Sequence, residues 1–267
     1  MPNKGQISNL FRTVRILYPL DHLRFRIEKR RNKTANQKFK SQNPTISLPP
    51  DYLMYESFQI NYEKYYNGGH DTARWIINLL SPLIDLNNKT ILDWGCGPGR
   101  IIRHLPPLTD HSCAYYATDY NEQSISWCKK NIKNVNFNFN KLTAELPYPN
   151  EFFDLIYGIS IFTHLSETMH IEWINELKRI LKPGGILLLT TQGDNFKSKL
   201  TDQEKKTFEN GKLVVRGKVK EGHRTYSAFH PDAYLRLLFK DFKILNHLVT
   251  DPKSKSHIPQ DTWIVRK

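Results

Sequence analysis

The stretch ILDWGCGPGR, residues 91–100, places three glycines within five positions directly after a short apolar run. Glycine has no Cβ, so it lets the backbone turn sharply and lets a ligand come close to it. Such a loop after a strand is typical of a nucleotide-like ligand site, and a tight turn without a ligand is the alternative. The spacing is G-x-G-x-G, whereas a dinucleotide fingerprint needs G-x-G-x-x-G. The loop therefore favours an adenosine ligand without a pyrophosphate, carrying an amino-acid end, over NAD.

Short apolar runs and amphipathic stretches alternate on both sides of this loop. The runs that predict strands are 90–94, 114–119, 135–140, 153–159, 185–191, 241–250 and 261–267. Helical spacing of apolar residues occupies 71–84, 121–131 and 167–181, and GRIIRHL (99–105) predicts a helix directly after the glycine loop. The last two strands have no room for a helix between them, so they should pair antiparallel. The pattern predicts an α/β fold: a doubly wound, mostly parallel seven-stranded sheet with helices on both faces and an antiparallel last strand.

The net charge of +13 is concentrated at the N-terminus. Residues 1–45 contain eleven Lys and Arg against two acidic residues, and Pro49 and Pro50 then indicate an extended connector. We predict a basic arm over 1–45 and a folded domain over 46–267. Within the domain, the polar interval 193–227 predicts a lid or small β-insertion.

The arm offers two interpretations. Leu10, Phe11, Val14 and Leu17 share one helical face between basic residues, which predicts an interfacial helix on an anionic membrane surface. Pro19 should end that helix, and the following LRFRIE suits a strand or a disordered segment. Packing of the arm against the body, or disorder, is the alternative.

Composition also bounds the location of the protein. Cys96, Cys113 and Cys128 form no CxxC pair and are odd in number, so neither a disulfide framework nor a zinc site is indicated. Apolar runs are shorter than the roughly 18 residues of a spanning helix. We expect a cytoplasmic protein, with peripheral membrane association through the arm as the one extension.

Four segments in order carry a resemblance to a known family: ILDWGCGPGR, then ATD (117–119), then FDLIYGISIFTHL (153–165), then ELKRILKPGGILLLT (176–190). This series resembles the class I S-adenosylmethionine-dependent methyltransferases over roughly residues 60–267. The resemblance implies S-adenosylmethionine as cofactor and S-adenosylhomocysteine as product. SIFTHL, LKPGGILLLTTQG and FHPDAY are similar to a bacterial group linked to glycan or small-metabolite modification.

The resemblance also implies roles for matching residues. Asp93 would lie near the methionine end of the cofactor, and Asp119, which ends the next strand, would accept hydrogen bonds from the ribose hydroxyls. Many relatives carry an Asp after the third strand for the adenine amine, but here Leu142 and Thr143 stand at the comparable place. The cofactor-binding residues predicted are Asp93, Gly95, Cys96, Gly97, Gly99, Asp119, Tyr120, Leu142, Thr143 and Ser160.

Acceptor-side residues should follow the fourth and fifth strands, because ligands of an open parallel sheet bind beyond the carboxyl ends of its strands. His164 is the candidate general base, since an imidazole suits proton transfer at neutral pH, and a structural histidine at a helix entry is the alternative. The substrate-binding residues predicted are Thr163, Gln192, Asp194, His230 and Arg100. Tyr65, Tyr66 and His70 are candidates for closing over the cofactor, with exposed aromatic packing as the alternative. The insertion also contains cations that could bind an anionic acceptor, with a solvated charged face as the alternative: Lys212, Arg216, Lys218 and Arg224.

These features predict a methyltransferase that acts on an oxygen of a small molecule or a sugar. Two alternatives remain open: a catalytically silent cofactor-binding protein tethered by its basic arm, and an RNA methyltransferase that uses the arm for phosphates. The sequence after the fourth strand is GISIF, so it lacks the Asn-Pro-Pro-aromatic run that grips a planar base amine. RNA is therefore the less favoured acceptor.

Overall fold

The structure is a computed structural model that describes residues 17–109, 112–252 and 258–267. Its helices are α1 (Leu17–Arg31), α2 (Lys33–Gln42), α3 (Asp51–Ser57), α4 (Tyr62–Leu80), α5 (Glu122–Asn131), α6 (Glu167–Ile180), α7 (Asp202–Glu209) and α8 (Asp232–Leu238). Its strands are β1 (Thr90–Trp94), β2 (Ala114–Asp119), β3 (Asn136–Phe139), β4 (Phe153–Gly158), β5 (Leu181–Thr191), β6 (Val214–Arg216), β7 (Ser227–Phe229), β8 (Lys243–Leu248) and β9 (Asp261–Arg266).

Seven of these strands form one sheet in the order β3-β2-β1-β4-β5-β9-β8. β1 pairs with β2, β2 with β3, and β4 with β5 in parallel, whereas β9 pairs antiparallel with both β5 and β8. The central strands are buried on both faces, which is why they read as continuous apolar runs. The predicted fold class is confirmed, including the antiparallel strands at the end of the chain.

The predicted helix at 99–105 is wrong. After the glycine loop the chain makes only a short 3₁₀ turn, Ile102–His104. Leu105 is followed by Pro106 and Pro107, and a residue before proline is disfavoured in the α conformation, while proline itself donates no backbone N–H. The helix therefore has no room to propagate.

The described residues divide into two compact units, 18–141 and 142–267. In the first, α2 packs on the chain around α4 through its two buried side chains, Asn36 and Phe39. The amide of Asn36 donates to the carbonyl of Ile60 at 2.8 Å and accepts from the backbone N–H of Tyr62 at 2.9 Å. Residues 17–42, which the sequence assigns to the arm, thus include packed helices, and the domain boundary near residue 46 stays a prediction.

α1 contradicts the expectation for the segment around Pro19. The helix runs through Pro19 and through LRFRIE, so this stretch is neither a strand nor disordered. Pro19 is the third residue of α1, within the first turn, where a missing N–H leaves no intrahelical bond unmade. The predicted face Leu10, Phe11 and Val14 lies outside the described residues.

α1 packs on α3 through aromatic residues. The hydroxyl of Tyr55 donates to the Asp21 carboxylate at 2.7 Å. The ring of Phe25 lies 5.2 Å from Tyr52 and 5.4 Å from Tyr55 between centroids. α1 is therefore packed on α3, and the last residue of α3 lies next to the glycine loop.

In the second unit, 142–267, the interval predicted as an insertion forms α7, a 3₁₀ helix (Asp194–Lys199) and a two-stranded antiparallel sheet of β6 and β7. Four of its residues, Phe196, Leu200, Phe208 and Val214, are buried in one apolar cluster with Phe229, which follows the interval, and Ile258 packs against this cluster. The sequence-based impression that this interval is too polar for a core is wrong, because five apolar residues spread over 34 positions do not form a periodic pattern. Its role as a lid stays a prediction.

Across the described part of the chain, no helix combines the length and the apolar character needed to cross a membrane.

Candidate active site

The glycine loop between β1 and the 3₁₀ turn is fixed to the end of β2. Gly95, Gly97 and Gly99 have φ of 77°, 54° and 74°, a region that side chains with a Cβ rarely adopt. The backbone N–H groups of Gly95 and Cys96 both donate to the carbonyl of Thr118, at 2.8 and 2.9 Å. The three glycines are thus favoured by backbone conformation, and their role in admitting a ligand stays a prediction.

Asp119, the last residue of β2, is buried and bonded to this loop. Its Oδ2 accepts from the N–H of Gly97 at 2.7 Å, and its Oδ1 accepts from the N–H of Asn121 at 2.7 Å. Burial raises the pKa of Asp119 to about 6, although the two N–H groups act in the opposite direction. Each carboxylate oxygen retains acceptor capacity beyond these bonds.

This donor and acceptor set fits a ribose. A carboxylate with one remaining lone pair on each oxygen can accept from the two vicinal hydroxyls of a nucleoside, and the adjacent loop has no Cβ at its three glycines. Asp93, at the end of the neighbouring strand β1, is also buried. Burial, with Asp93 and Asp119 nearby, raises the pKa of the Cys96 thiol, so Cys96 is a neutral wall of the loop rather than a nucleophile.

α4 supports the loop from the other side. The hydroxyl of Tyr65, which is fully buried, donates to the carbonyl of Pro98 at 3.2 Å. A Cβ on Gly69 would overlap the carbonyl oxygen of Arg100, so α4 approaches the loop more closely than any other residue type would allow. Tyr65 was predicted to close over the cofactor, and the structure places it in contact with the loop backbone.

Arg100 also bonds to α4. Its Nη1 donates to the carbonyl of Gly68 and to the hydroxyl of Thr72, both at 3.2 Å, and its guanidinium lies 4.2 Å from the centre of the Phe58 ring. These contacts hold the loop to α4. The predicted contact of Arg100 with an acceptor stays a prediction.

Tyr66 and His70 pack on the 3₁₀ turn that follows the loop. Their rings lie 4.7 and 5.6 Å from the ring of His104, each edge-on. Burial and the neighbouring Arg103 lower the pKa of His104 to about 4, so His104 is a neutral core residue at physiological pH.

Residues that the sequence reasoning missed lie at the end of α3. The Cβ of Ser57 is 3.0 Å from the position that a Cβ on Gly97 would take. Glu56 accepts from the amide of Asn121 at 3.3 Å. Asn121 caps α5, since its side chain accepts from the N–H of Ser124. A cap residue directly after TDY was visible in the sequence, whereas nothing there indicated that α3 reaches this loop.

Tyr120, between Asp119 and Asn121, is half-buried, and burial raises the pKa of its phenol. In the second unit, the two residues predicted for the adenine have backbone partners: the carbonyl of Leu142 accepts from the indole of Trp173 at 3.2 Å, and the carbonyl of Thr143 accepts from the N–H of Glu145 at 2.8 Å. The side chain of Thr143 is exposed.

The loop after β4 is held by a chain of hydrogen bonds in which the donor and the acceptor of each bond are determined. Thr163 donates to the carbonyl of Ser160 at 2.6 Å, so the Ser160 hydroxyl, 2.9 Å away, donates to Thr163. The amide of Gln260 donates to the same Ser160 hydroxyl at 2.7 Å and accepts from Thr190 at 2.7 Å. Ser160 has φ of 66°, an uncommon conformation for a residue with a Cβ. Ser160 and Thr163 therefore position this loop, and Gln260, with no signal in the sequence, is part of the same network.

His164 follows on this loop, as predicted, and its tautomer is defined. Its Nδ1 lies 2.8 Å from the carbonyl oxygen of Tyr226, which can only accept, so the proton is on Nδ1 and Nε2 carries a lone pair. Burial lowers the pKa of His164, and its bond to Tyr226 opposes that shift. The imidazole is thus neutral near pH 7, with Nε2 in the form that a general base requires.

The other residues predicted to bind the methyl acceptor form hydrogen bonds or ion pairs within the protein. His170 donates through Nδ1 to the carbonyl of Ser166 at 2.6 Å, so its Nε2 accepts from Nε2 of His230 at 2.8 Å. His230 is fully buried, and its backbone N–H donates to the carbonyl of Gln192 at 2.8 Å. Asp194 is exposed and pairs with Lys197 at 3.1 Å.

Arg216 is buried and donates two bonds to the carboxylate of Glu204, at 2.9 and 2.7 Å. Its guanidinium serves this ion pair, so the predicted availability of Arg216 for an anionic acceptor is not supported.

The strand order and the glycine loop after β1 define a class of fold: the chain has the fold of the class I S-adenosylmethionine-dependent methyltransferases. The family described as "Methyltransferase domain" matches residues 92–189, which extend from β1 through β5. Among solved structures, a methyltransferase from Methanosarcina mazei superposes with a TM-score of 0.55 at 19% identity, covering 71% of this chain and 96% of that one. One from Leishmania major has a TM-score of 0.55 at 15% identity, covering 74% and 73%.

Relatives with assigned activities differ in their acceptors. A tRNA (carboxymethyluridine(34)-5-O)-methyltransferase from Arabidopsis thaliana is 34% identical over 39% of this chain, which covers 24% of that protein. Phthiotriol/phenolphthiotriol dimycocerosates methyltransferase 1 of Mycobacterium ulcerans is 30% identical over 40% of this chain and 39% of that protein. A tRNA U34 carboxymethyltransferase of Campylobacter curvus is 25% identical over 70% of this chain and 59% of that protein. The chain thus spans between a quarter and three fifths of the length of these relatives.

Proposed function

We propose that this chain transfers the methyl group of S-adenosylmethionine to a hydroxyl oxygen of a small molecule or a sugar. The observation that carries the cofactor assignment is the hydrogen bond of 2.7 Å from the N–H of Gly97 to the carboxylate of Asp119. It fixes a buried carboxylate, which can accept from ribose hydroxyls, beside the glycine loop. S-adenosylmethionine supplies an activated methyl group on a sulfonium. The chain supplies binding and orientation, and a place for the proton that leaves the acceptor.

In this proposal His164 is the general base. With cofactor and acceptor bound, the acceptor O–H would donate to the lone pair on Nε2, and His164 would hold the proton that the oxygen loses when it takes the methyl group that the cofactor supplies. The resulting imidazolium is stabilised by Nδ1–H, which already donates to the carbonyl of Tyr226. Ser160 and Thr163 keep the loop in place during this step through bonds that are internal to it.

Calorimetric titration with S-adenosylhomocysteine tests the cofactor site. The wild type should bind and Asp119→Ala should bind at least tenfold more weakly, while Asp71→Ala, whose carboxylate is 79% exposed on α4, should bind as the wild type. If S-adenosylmethionine and S-adenosylhomocysteine both fail to bind, or NAD binds instead, the assignment is wrong.

Turnover of His164→Ala tests the base. We expect a loss of roughly a hundredfold or more in kcat with unchanged cofactor affinity, since a general base contributes about 10² to 10⁴. His22→Ala on the surface of α1 is the matched control. A variant that retains normal turnover would assign His164 a structural role only.

A second candidate function is methylation of RNA, favoured by one relative that is named a tRNA methyltransferase and by the cationic residues of α1 and α2. Two reactions with methyl-labelled cofactor distinguish the two functions. One contains bulk tRNA and the other contains hydroxylated small molecules and sugars, and the product that carries the label identifies the acceptor class. Label in neither, together with cofactor binding, would support the silent cofactor-binding alternative.

The lid role of residues 193–227 belongs to the same proposal. Its support is that His164 contacts this interval twice: Nδ1 bonds the carbonyl of Tyr226, and the carbonyl of His164 accepts from the N–H of Gly222 at 2.9 Å. Movement of the interval would therefore move the partner that sets the tautomer of the base.

A further inference from the structure

α1 presents a row of apolar side chains to solvent. Leu20, Leu23 and Ile27 are 38%, 53% and 40% exposed, and their spacing of three and four residues puts them on one side of the helix. Asp21 and Phe25 lie on the side that contacts α3. Among the residues that the structure describes, the apolar row is therefore the side of α1 opposite its contacts with α3, and its side chains are exposed.

The same helix and α2 also carry exposed basic side chains. Arg24, Arg26, Arg30, Lys33, Lys38 and Lys40 are exposed and form no ion pair with any residue that the structure describes. The two acidic residues of α1 are engaged elsewhere: Asp21 accepts from Tyr55, and Glu28 pairs with Arg31 at 3.2 Å. The surface of α1 and α2 thus combines exposed leucine and isoleucine with a net positive charge.

We propose that this face of α1 docks on an anionic lipid bilayer, with Leu20, Leu23 and Ile27 inserted at the headgroup boundary. Anionic headgroups complement the surrounding arginines, whose alkyl stems reach past the apolar row and place their charge at headgroup level. The phosphates of RNA would satisfy the charges but would leave three apolar side chains in water, so the exposed row favours the bilayer. The inference is independent of the methyl-transfer reaction.

Co-sedimentation of the full chain with vesicles at physiological salt tests the docking. We expect pelleting with vesicles of phosphatidylcholine and 30% phosphatidylglycerol, and none with phosphatidylcholine alone. Leu23→Asp/Ile27→Asp should lower the partition coefficient at least tenfold, and Arg24→Ser/Arg30→Ser should lower it severalfold and reduce its dependence on salt. Ile171→Asp/Leu237→Asp, which removes two exposed apolar residues of the other unit, should bind as the wild type.

The comparison is valid for variants whose thermal unfolding midpoint equals that of the wild type, which we expect because all the substituted residues are exposed. The proposal is overturned if the full chain does not pellet, or if it pellets equally with neutral vesicles. It is also overturned if Leu23→Asp/Ile27→Asp binds as tightly as the wild type, since the charges alone would then explain attraction to vesicles or RNA. A dimer in size-exclusion chromatography that this double variant converts to a monomer would assign the face to a second copy of the chain instead.

Discussion

Lowering the pH should weaken cofactor binding, because Asp119 must be ionised to accept from a ribose while it also accepts from two backbone N–H groups. Burial raises the pKa of Asp119 to about 6, so the carboxylate is mostly ionised at pH 7 and mostly protonated at pH 5. If only the ionised form binds, the apparent Kd equals the intrinsic Kd divided by the ionised fraction, which is about 0.1 at pH 5. We expect S-adenosylhomocysteine to bind roughly tenfold more weakly at pH 5 than at pH 7.

Isothermal titration calorimetry at half-unit steps from pH 5 to pH 7 measures this dependence, with circular dichroism at each pH to establish that the protein is folded. Asp119→Asn is the matched variant: it has no charge to lose, so its affinity should be low and should change little over the same range. An affinity of the wild type that is constant from pH 5 to pH 7, or one that increases as the pH falls, would refute the role of the Asp119 carboxylate.

Two further predictions concern stability, each with a matched control measured by chemical denaturation. Gly69→Ala should lower the free energy of unfolding by about 1–3 kcal/mol, because the new Cβ overlaps a loop carbonyl. Its control is Gly68→Ala, where a Cβ would have no atom within 4 Å, so the free energy of unfolding should be unchanged or should rise by up to about 1 kcal/mol through helix propensity. Glu204→Ala should lower the free energy of unfolding by about 3–5 kcal/mol, because the buried guanidinium of Arg216 loses its carboxylate partner. Its control is Glu209→Ala on the exposed end of the same helix, which should change the free energy of unfolding by no more than about 0.5 kcal/mol. Equal effects within either pair would contradict the corresponding contact.

β1, β2 and β4 could be predicted to within one residue because each is a continuous apolar run bounded by polar or glycine residues. β5 was predicted at 185–191 but begins at Leu181, because the strand extends through the two glycines that were taken as its start. β1 and β2 begin and end at the predicted residues, and the glycine loop lies where the G-x-G-x-G spacing put it. The helix at 99–105 was predicted from local spacing while two prolines stood directly after it. The opposite error occurred at α1, where Pro19 was given the weight of a helix breaker although it falls in the first turn.

Side-chain roles at the site depend on hydrogen-bond partners that are distant in sequence, and these partners could not be predicted from the sequence. Arg100 follows the glycine loop, but its bonds are to Gly68 and Thr72 on α4. Gln260 bonds Ser160 from 100 residues away, and no periodicity in the chain announces such a pair. His164 was predicted from its place after β4, but the carbonyl that fixes its tautomer belongs to Tyr226.

The small apolar cluster within the predicted insertion determines how that part of the chain would open. Because Phe208 of α7, Val214 of β6 and Phe229 of β7 are buried in one cluster with Phe196 of the 3₁₀ helix, separating any of these elements from the others would expose apolar side chains. The backbone amides of these elements are therefore expected to exchange with deuterated solvent in one cooperative event, giving two resolved isotopic envelopes when closing is slow, rather than fraying residue by residue.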